Sequence, residues 1–158
     1  MNDVIFSKLS IYNQLFKELD QLYHNYAKSS GLSDTMFWII YSIQERSEAY
    51  TQKELCDIWF YSRQTVNSAL KHLEEQKLIE LIPSPDNRKN KLIFFTPSGK
   101  DLAMKIILPL MEAEENAFSK LGEKNFDKFL HLTRKHNDLL DVEIKKIMEM
   151  SSEDLSSQ

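Results

Sequence analysis

The sequence predicts a mainly α-helical chain with one small β-hairpin and a long helix at each end. Three observations predict it. Only 3 Gly and 4 Pro occur among 158 residues, and they are clustered, so most of the chain lacks helix breakers. Apolar residues recur at steps of three and four through both terminal thirds. Between two short β-prone runs lies one polar, turn-forming stretch, Pro83 to Asn90.

The elements follow in order. From about 4 to 29, Ile5, Leu9, Tyr12, Phe16, Leu19, Tyr23 and Tyr26 mark a heptad seam on one helix face, widened by Leu15 and Leu22. That stripe is too apolar for a lone surface helix, so it needs a long partner. Gly31 is placed as the C-terminal cap. Ser33 is placed as N-cap of a second helix, about 34–46, apolar nearly all round and therefore central. Thr51 and Glu54 have capping-box spacing and open a short helix to about Trp59, with Leu55, Cys56 and Ile58 expected inside. Ser62 caps the next helix, about 63–76, whose Val66, Ala69, Leu70 and Leu73 form a buried stripe. Leu78–Ile82 and Lys91–Phe95 are the hairpin strands. Thr96 caps a helix of about 98–120, with Pro97 in the tolerated first position and Pro109 expected to kink it. After Gly122 comes a last helix, about 123–149, with Phe126, Phe129, Thr133, His136, Leu140, Ile144 and Ile147 on one stripe. The polar tail 151–158 is expected to fray.

Composition narrows the function classes. Hydrophobic content of 42% and charged content of 28% exclude a disordered or fibrous chain. A single Cys excludes an internal disulfide framework and fits a reducing compartment. The N-terminus has no signal-peptide pattern, and no run reaches the ~18 apolar residues of a membrane span. A cytoplasmic protein with no membrane partner is expected. The net charge is −4, which at first opposes a polyanionic partner. Its distribution changes that: residues 1–50 carry −2, residues 51–100 carry +2 and residues 101–158 carry −4. Binding to phosphates needs local positive charge, not a basic total.

Two short capped helices across a tight turn form a helix-turn-helix, and the hairpin after them makes it a winged helix. The outer face of the second helix carries Gln64, Ser68, Lys71 and Glu75, flanked by Thr65 and Asn67. Gln64, Thr65, Asn67 and Ser68 can donate and accept, as reading base edges in a major groove requires. Lys71 adds phosphate attraction. Arg88, at the basic hairpin tip, can reach an adjacent minor groove or the backbone.

Thr51-Gln52-Lys53-Glu54-Leu55, Ser62-Arg63-Gln64-Thr65-Val66, Leu73-Glu74-Glu75-Gln76-Lys77-Leu78-Ile79, Asp86-Asn87-Arg88 and Phe95-Thr96-Pro97-Ser98-Gly99-Lys100 follow in sequence. This ordered set resembles the MarR family of bacterial and archaeal regulators over nearly the whole chain. The resemblance implies a homodimer with interleaved terminal helices, a pseudo-palindromic operator and, in many members, release by a small ligand or thiol oxidation. It carries the recognition-helix positions onto Gln64, Thr65, Asn67 and Ser68, and a wing pair onto Asp86 and Arg88, the acid bracing the arginine. The full set expected to meet double-stranded DNA is Thr51, Gln52, Ser62, Arg63, Gln64, Thr65, Asn67, Ser68, Lys71, Arg88, Lys89 and Lys91. Phe60 departs from a common Gly in the helix turn. Lys77 departs from a Gly that commonly ends the recognition helix, which asks Lys77 for a left-handed backbone. Asn90 or Lys91 replaces a second wing arginine.

The resulting organisation has dimerisation helices at 1–32 and 98–150, a DNA-binding winged helix at 33–97 and a flexible tail at 151–158. Ile5, Leu9, Tyr12, Phe126, Leu140, Ile144 and Ile147 are expected in the dimer seam, since two matching stripes exceed what one small chain can cover. Tyr12, Trp38 and Tyr41 are candidates for an effector pocket. Cys56, between Leu55 and Ile58, reads as a buried inert thiol rather than a redox sensor. The histidines have no metal-ligand spacing, and His136 reads as an interface residue. With no glycine-rich phosphate loop and no nucleophile elbow, neither an enzyme nor a cofactor is expected. The function expected is a homodimeric repressor of transcription, released by a small ligand. The alternative is a winged-helix protein-interaction module, antirepressor-like, that does not bind DNA.

Overall fold

The computed structural model describes residues 3–85, 87 and 90–156, the side chains of 151–156 excepted. The element order is α1 (Asp3–Ser29), α2 (Asp34–Glu45), β1 (Tyr50–Thr51), α3 (Gln52–Trp59), α4 (Arg63–Glu75), β2 (Ile79–Pro83), β3 (Lys91–Phe95), α5 (Pro97–Leu121) and α6 (Glu123–Ser156). The mainly α chain with a small β wing is the fold class the sequence predicts. Two compact units, Met1–Leu110 and Met111–Gln158, meet inside α5, one residue beyond Pro109.

In the first unit the core forms around α2. Phe37, Ile39 and Ile40 of α2 are fully buried, with Leu55 of α3, Val66 and Leu73 of α4, Ile79 and Ile93 of the sheet, and Ala103 and Ile107 of α5. Local chemistry starts α2, α3, α4 and α5. The Ser33 side chain accepts from Met36 N, Thr51 and Glu54 form the full capping box, and the Ser62 side chain accepts from Thr65 N. Thr96 Oγ1 accepts from Gly99 N at 3.1 Å and donates to Lys77 O. A Cβ on Gly99 would lie 1.8 Å from Leu78 O, so α5 can start here only at glycine.

Helices α1 and α4 end in the same way. Leu32 N donates to Ala27 O and Gly31 N to Lys28 O, while Leu78 N donates to Leu73 O and Lys77 N to Glu74 O. Both are Schellman motifs, which need a left-handed residue next to the last. Gly31 supplies it at φ 73° and Lys77 at φ 57°. Phe60, the C-cap of α3, is also left-handed at φ 54°.

Three findings differ from expectation. First, the sheet has a third strand. Its order is β1-β3-β2, all antiparallel, with Tyr50 opposite Ile93, Leu81 opposite Ile93 on the other side, and Pro83 opposite Lys91. The hairpin strand begins at Ile79 because Leu78 is taken up by the cap of α4. Second, Ile58 is exposed and Cys56 only half-buried. The inner face of α3 is Leu55 and Trp59, one turn apart, and Trp59 Nε1 donates to the buried Ser42 Oγ at 2.8 Å. With Trp59 inward, Ile58 turns to the surface. Third, α6 runs on through Ser156 instead of ending near 149, since no Gly or Pro interrupts it.

In the second unit, Gly122 (φ 85°) separates α5 from α6, and Phe118 stacks on Phe126 with ring centroids 4.0 Å apart. No helix among the described residues is long and apolar enough to cross a membrane.

Candidate nucleic-acid interface

Helix α4 divides cleanly. Val66, Ala69, Leu70 and Leu73 are buried, while Gln64, Thr65, Asn67, Ser68 and Lys71 are exposed. The hydroxyls of Ser62 and Thr65 are 2.8 Å apart, and Ser62 Oγ also caps Thr65 N, so these two serve the helix start. Gln64, Asn67 and Ser68 are left as the outward amide and hydroxyl face. Lys71 lies 3.8 Å from Glu75, one turn on, a contact between exposed groups that holds little energy.

The first turn of α3 is tied to the first turn of α4. Gln52 Nε2 donates to Arg63 O at 3.0 Å. Thr51 is committed to its cap: its backbone N donates to Glu54 Oε2 at 2.7 Å and its Oγ1 at 2.8 Å. Burial works against the Glu54 carboxylate. Hydrogen bonds from the Thr51 backbone and hydroxyl and from Arg46 outweigh it, and the Glu54 pKa falls below its ordinary 4.5.

Between these turns and the hairpin lies an open recess of about 410 Å³. Thr51, Gln52 and Lys53 border it from α3, Arg63, Asn67 and Leu70 from α4, and Leu81, Asn90, Lys91 and Ile93 from the hairpin side. Among the described residues its wall thus holds three cations, Lys53, Arg63 and Lys91, and no carboxylate. Lys53 was not among the residues expected from sequence. Its signal was local, for it follows Thr51 and Gln52 in the first turn of a capped helix. The hairpin is closed beyond its strands by Ser84 N donating to Asn90 O and Asn90 N to Asn87 O, both at 2.8 Å. Asp86, Arg88 and Lys89, the expected wing tip, lie outside the described residues.

Comparison with known proteins places this geometry. Residues 30–89, which span α2, the helix-turn-helix and most of the hairpin, match the MarR family. Solved structures extend the likeness beyond that segment. A MarR family regulator from Neisseria meningitidis superimposes with a TM-score of 0.72 at 23% identity, covering 90% of this chain and 97% of its own. The chain is thus similar to the MarR family in sequence over residues 30–89 and in fold over most of its length. A putative MarR family regulator from Listeria monocytogenes, complexed with a 26mer DNA, superimposes with a TM-score of 0.67 at 26% identity, covering 84% of this chain and 87% of its own. MarR from Staphylococcus aureus, in complex with salicylate and kanamycin, gives 0.66 at 15% identity over 88% and 93%. No curated protein matches the sequence.

The other expected residues fall into two groups. Trp38 and Tyr41 stand 5.4 Å apart, centroid to centroid, in an aromatic cluster with Tyr23, Phe37 and Trp59. Tyr23 is the α1 residue in that cluster. Tyr12 lies eleven residues earlier on α1, about 16 Å along the helix from Tyr23. Ile5, Leu9 and Tyr12 in the first unit and Leu140, Ile144 and Ile147 in the second are exposed, whereas Phe126 is half-buried against Phe118.

Proposed function

We propose that this chain is a transcriptional regulator of the MarR family that binds double-stranded DNA as a homodimer. It represses from a pseudo-palindromic operator and is released by a small ligand. One observation carries the DNA reading: the outward face of Gln64, Asn67 and Ser68 sits beside a recess walled, among the described residues, by Lys53, Arg63 and Lys91 without an acid. The α4 face has the donors and acceptors that a major groove requires, and the recess has the charge that phosphates require. The net charge of −4 is no obstacle, because the attraction is local. The DNA-bound Listeria relative supports the same reading.

The homodimer rests on apolar surface. Ile5, Phe16 and Leu22 of α1 are 63%, 64% and 67% exposed, and Ile147 of α6 is 63% exposed. Rows of such residues on two long helices are costly to leave in water and fit a second copy of the same chain. The Staphylococcus relative bound to salicylate supports release by a small ligand. Regulation of this kind requires no catalytic group.

A shift assay with duplex from the region flanking the protein's own gene tests the proposal. Retarded DNA at low salt, lost as salt rises, is expected. No shift at low salt, with capture of a protein partner instead, would establish the antirepressor-like alternative.

A further inference from the structure

We propose that Arg46 is the positioning residue of this interface, locking the α2–α3 connection so that the first turn of α3 and the edge of the wing sheet are held together. The proposal rests on the DNA-binding reading above and adds a residue that itself touches no DNA.

Arg46 is the C-cap of α2. Its guanidinium gathers the whole connection. Nε donates to Glu48 O at 3.2 Å, and Nη2 donates to Ala49 O at 3.2 Å and to Glu54 Oε1 at 3.1 Å. The plane lies over the Tyr50 ring, 3.9 Å from its centroid. Two of these partners, Tyr50 and Glu54, lead to the interface. Tyr50 and Thr51 form β1 and pair with Ile93 and Leu92 of the wing strand β3. Glu54 closes the cap that starts α3 at Gln52. Gln52 in turn holds the Arg63 carbonyl. One side chain therefore ties α2, the wing edge, the start of α3 and, through Gln52, the start of α4.

The same geometry argues against Arg46 as a phosphate contact. Glu54 at 3.1 Å and Glu48 at 3.6 Å already neutralise it. The planar fork is needed because carbonyls, a carboxylate and a ring must be met at once, and an ammonium cannot do that. Two consequences follow. Loss of the clamp should weaken DNA binding without changing the number of phosphates neutralised. It should also loosen residues 50–53 selectively.

The test compares Arg46→Met, Arg46→Lys and Lys53→Ala with the parent, reading duplex affinity against salt and amide hydrogen exchange. Both Arg46 variants are expected to bind about tenfold more weakly at fixed salt, as the loss of a charged hydrogen bond predicts. Their log K against log salt slopes should equal the parent's, with exchange accelerated at Thr51–Lys53 and unchanged in α4. Lys53→Ala should instead lower the slope by about 0.9 for each phosphate it no longer neutralises. Unchanged affinity in Arg46→Met, a reduced slope in either Arg46 variant, or a general loss of helix protection in both would overturn the proposal. If the parent binds no duplex, the DNA reading fails. The clamp is then judged by exchange alone: selective loosening of Thr51–Lys53 upholds it, and uniform protection overturns it.

Discussion

Replacing Lys77 with glycine should stabilise the protein. Lys77 occupies the left-handed position of the cap that ends α4, at φ 57°, where Gly31 performs the same task for α1 at φ 73°. A residue with a Cβ pays about 1–2 kcal/mol in that conformation. Glycine removes the strain but adds unfolded-state freedom, worth about 0.5–1 kcal/mol in the opposite direction. The Lys77 side chain is exposed, and the cap uses its backbone N–H and carbonyl, which glycine keeps. The net gain is about 0.5–1 kcal/mol, equivalent to a rise in Tm of roughly 1–4 °C for a chain of this size. Urea denaturation at fixed protein concentration should show a higher midpoint with an unchanged m-value. Gly31→Ala should move the midpoint the other way by a similar amount. A lower midpoint for Lys77→Gly would refute the strain argument and assign the lysine side chain a stabilising contact instead.

Two other substitutions probe separate parts of the fold. Gly99→Ala places a Cβ 1.8 Å from Leu78 O, so α5 must shift away from the turn after α4. Destabilisation of about 3 kcal/mol or more is expected by thermal unfolding, at the upper end of overpacking costs. Glu54 is expected to contribute to acid sensitivity. Its folded pKa is depressed, so its stabilisation is complete above its ordinary 4.5 and fades as pH falls through the lower folded value. Between pH 6 and pH 3 the urea midpoint should therefore fall more steeply for the parent than for Glu54→Gln. Parallel curves would show that the carboxylate adds nothing to the cap.

Much of the fold is legible because capping is local. Ser33, Thr51 with Glu54, Ser62 and Thr96 each announce a helix start within four residues, and the structure places a helix after every one. The left-handed Lys77 was likewise readable from the missing glycine. What escaped was decided by distant residues. The two-residue strand β1 exists only because β3 runs beside it. Whether Ile58 or Trp59 faced inward depended on Ser42 and Trp38, both on another helix. Of the interface, the polar face of α4 was visible as a helical period. The recess was not, since Lys53, Arg63 and Lys91 are brought to one wall only by the sheet and the α3–α4 turn.

The most direct measurement is duplex affinity as a function of salt for the parent, Asn67→Ala and Lys53→Ala, using the preferred sequence and a scrambled one. Affinity of the parent should fall linearly in log–log form as salt rises. Asn67→Ala should lose about 1–3 kcal/mol on the preferred duplex and little on the scrambled one, whereas Lys53→Ala should weaken both alike and flatten the slope. A parent that binds neither duplex at low salt, or an Asn67→Ala variant that keeps full preference for one sequence, would contradict α4 and the basic recess as the nucleic-acid interface.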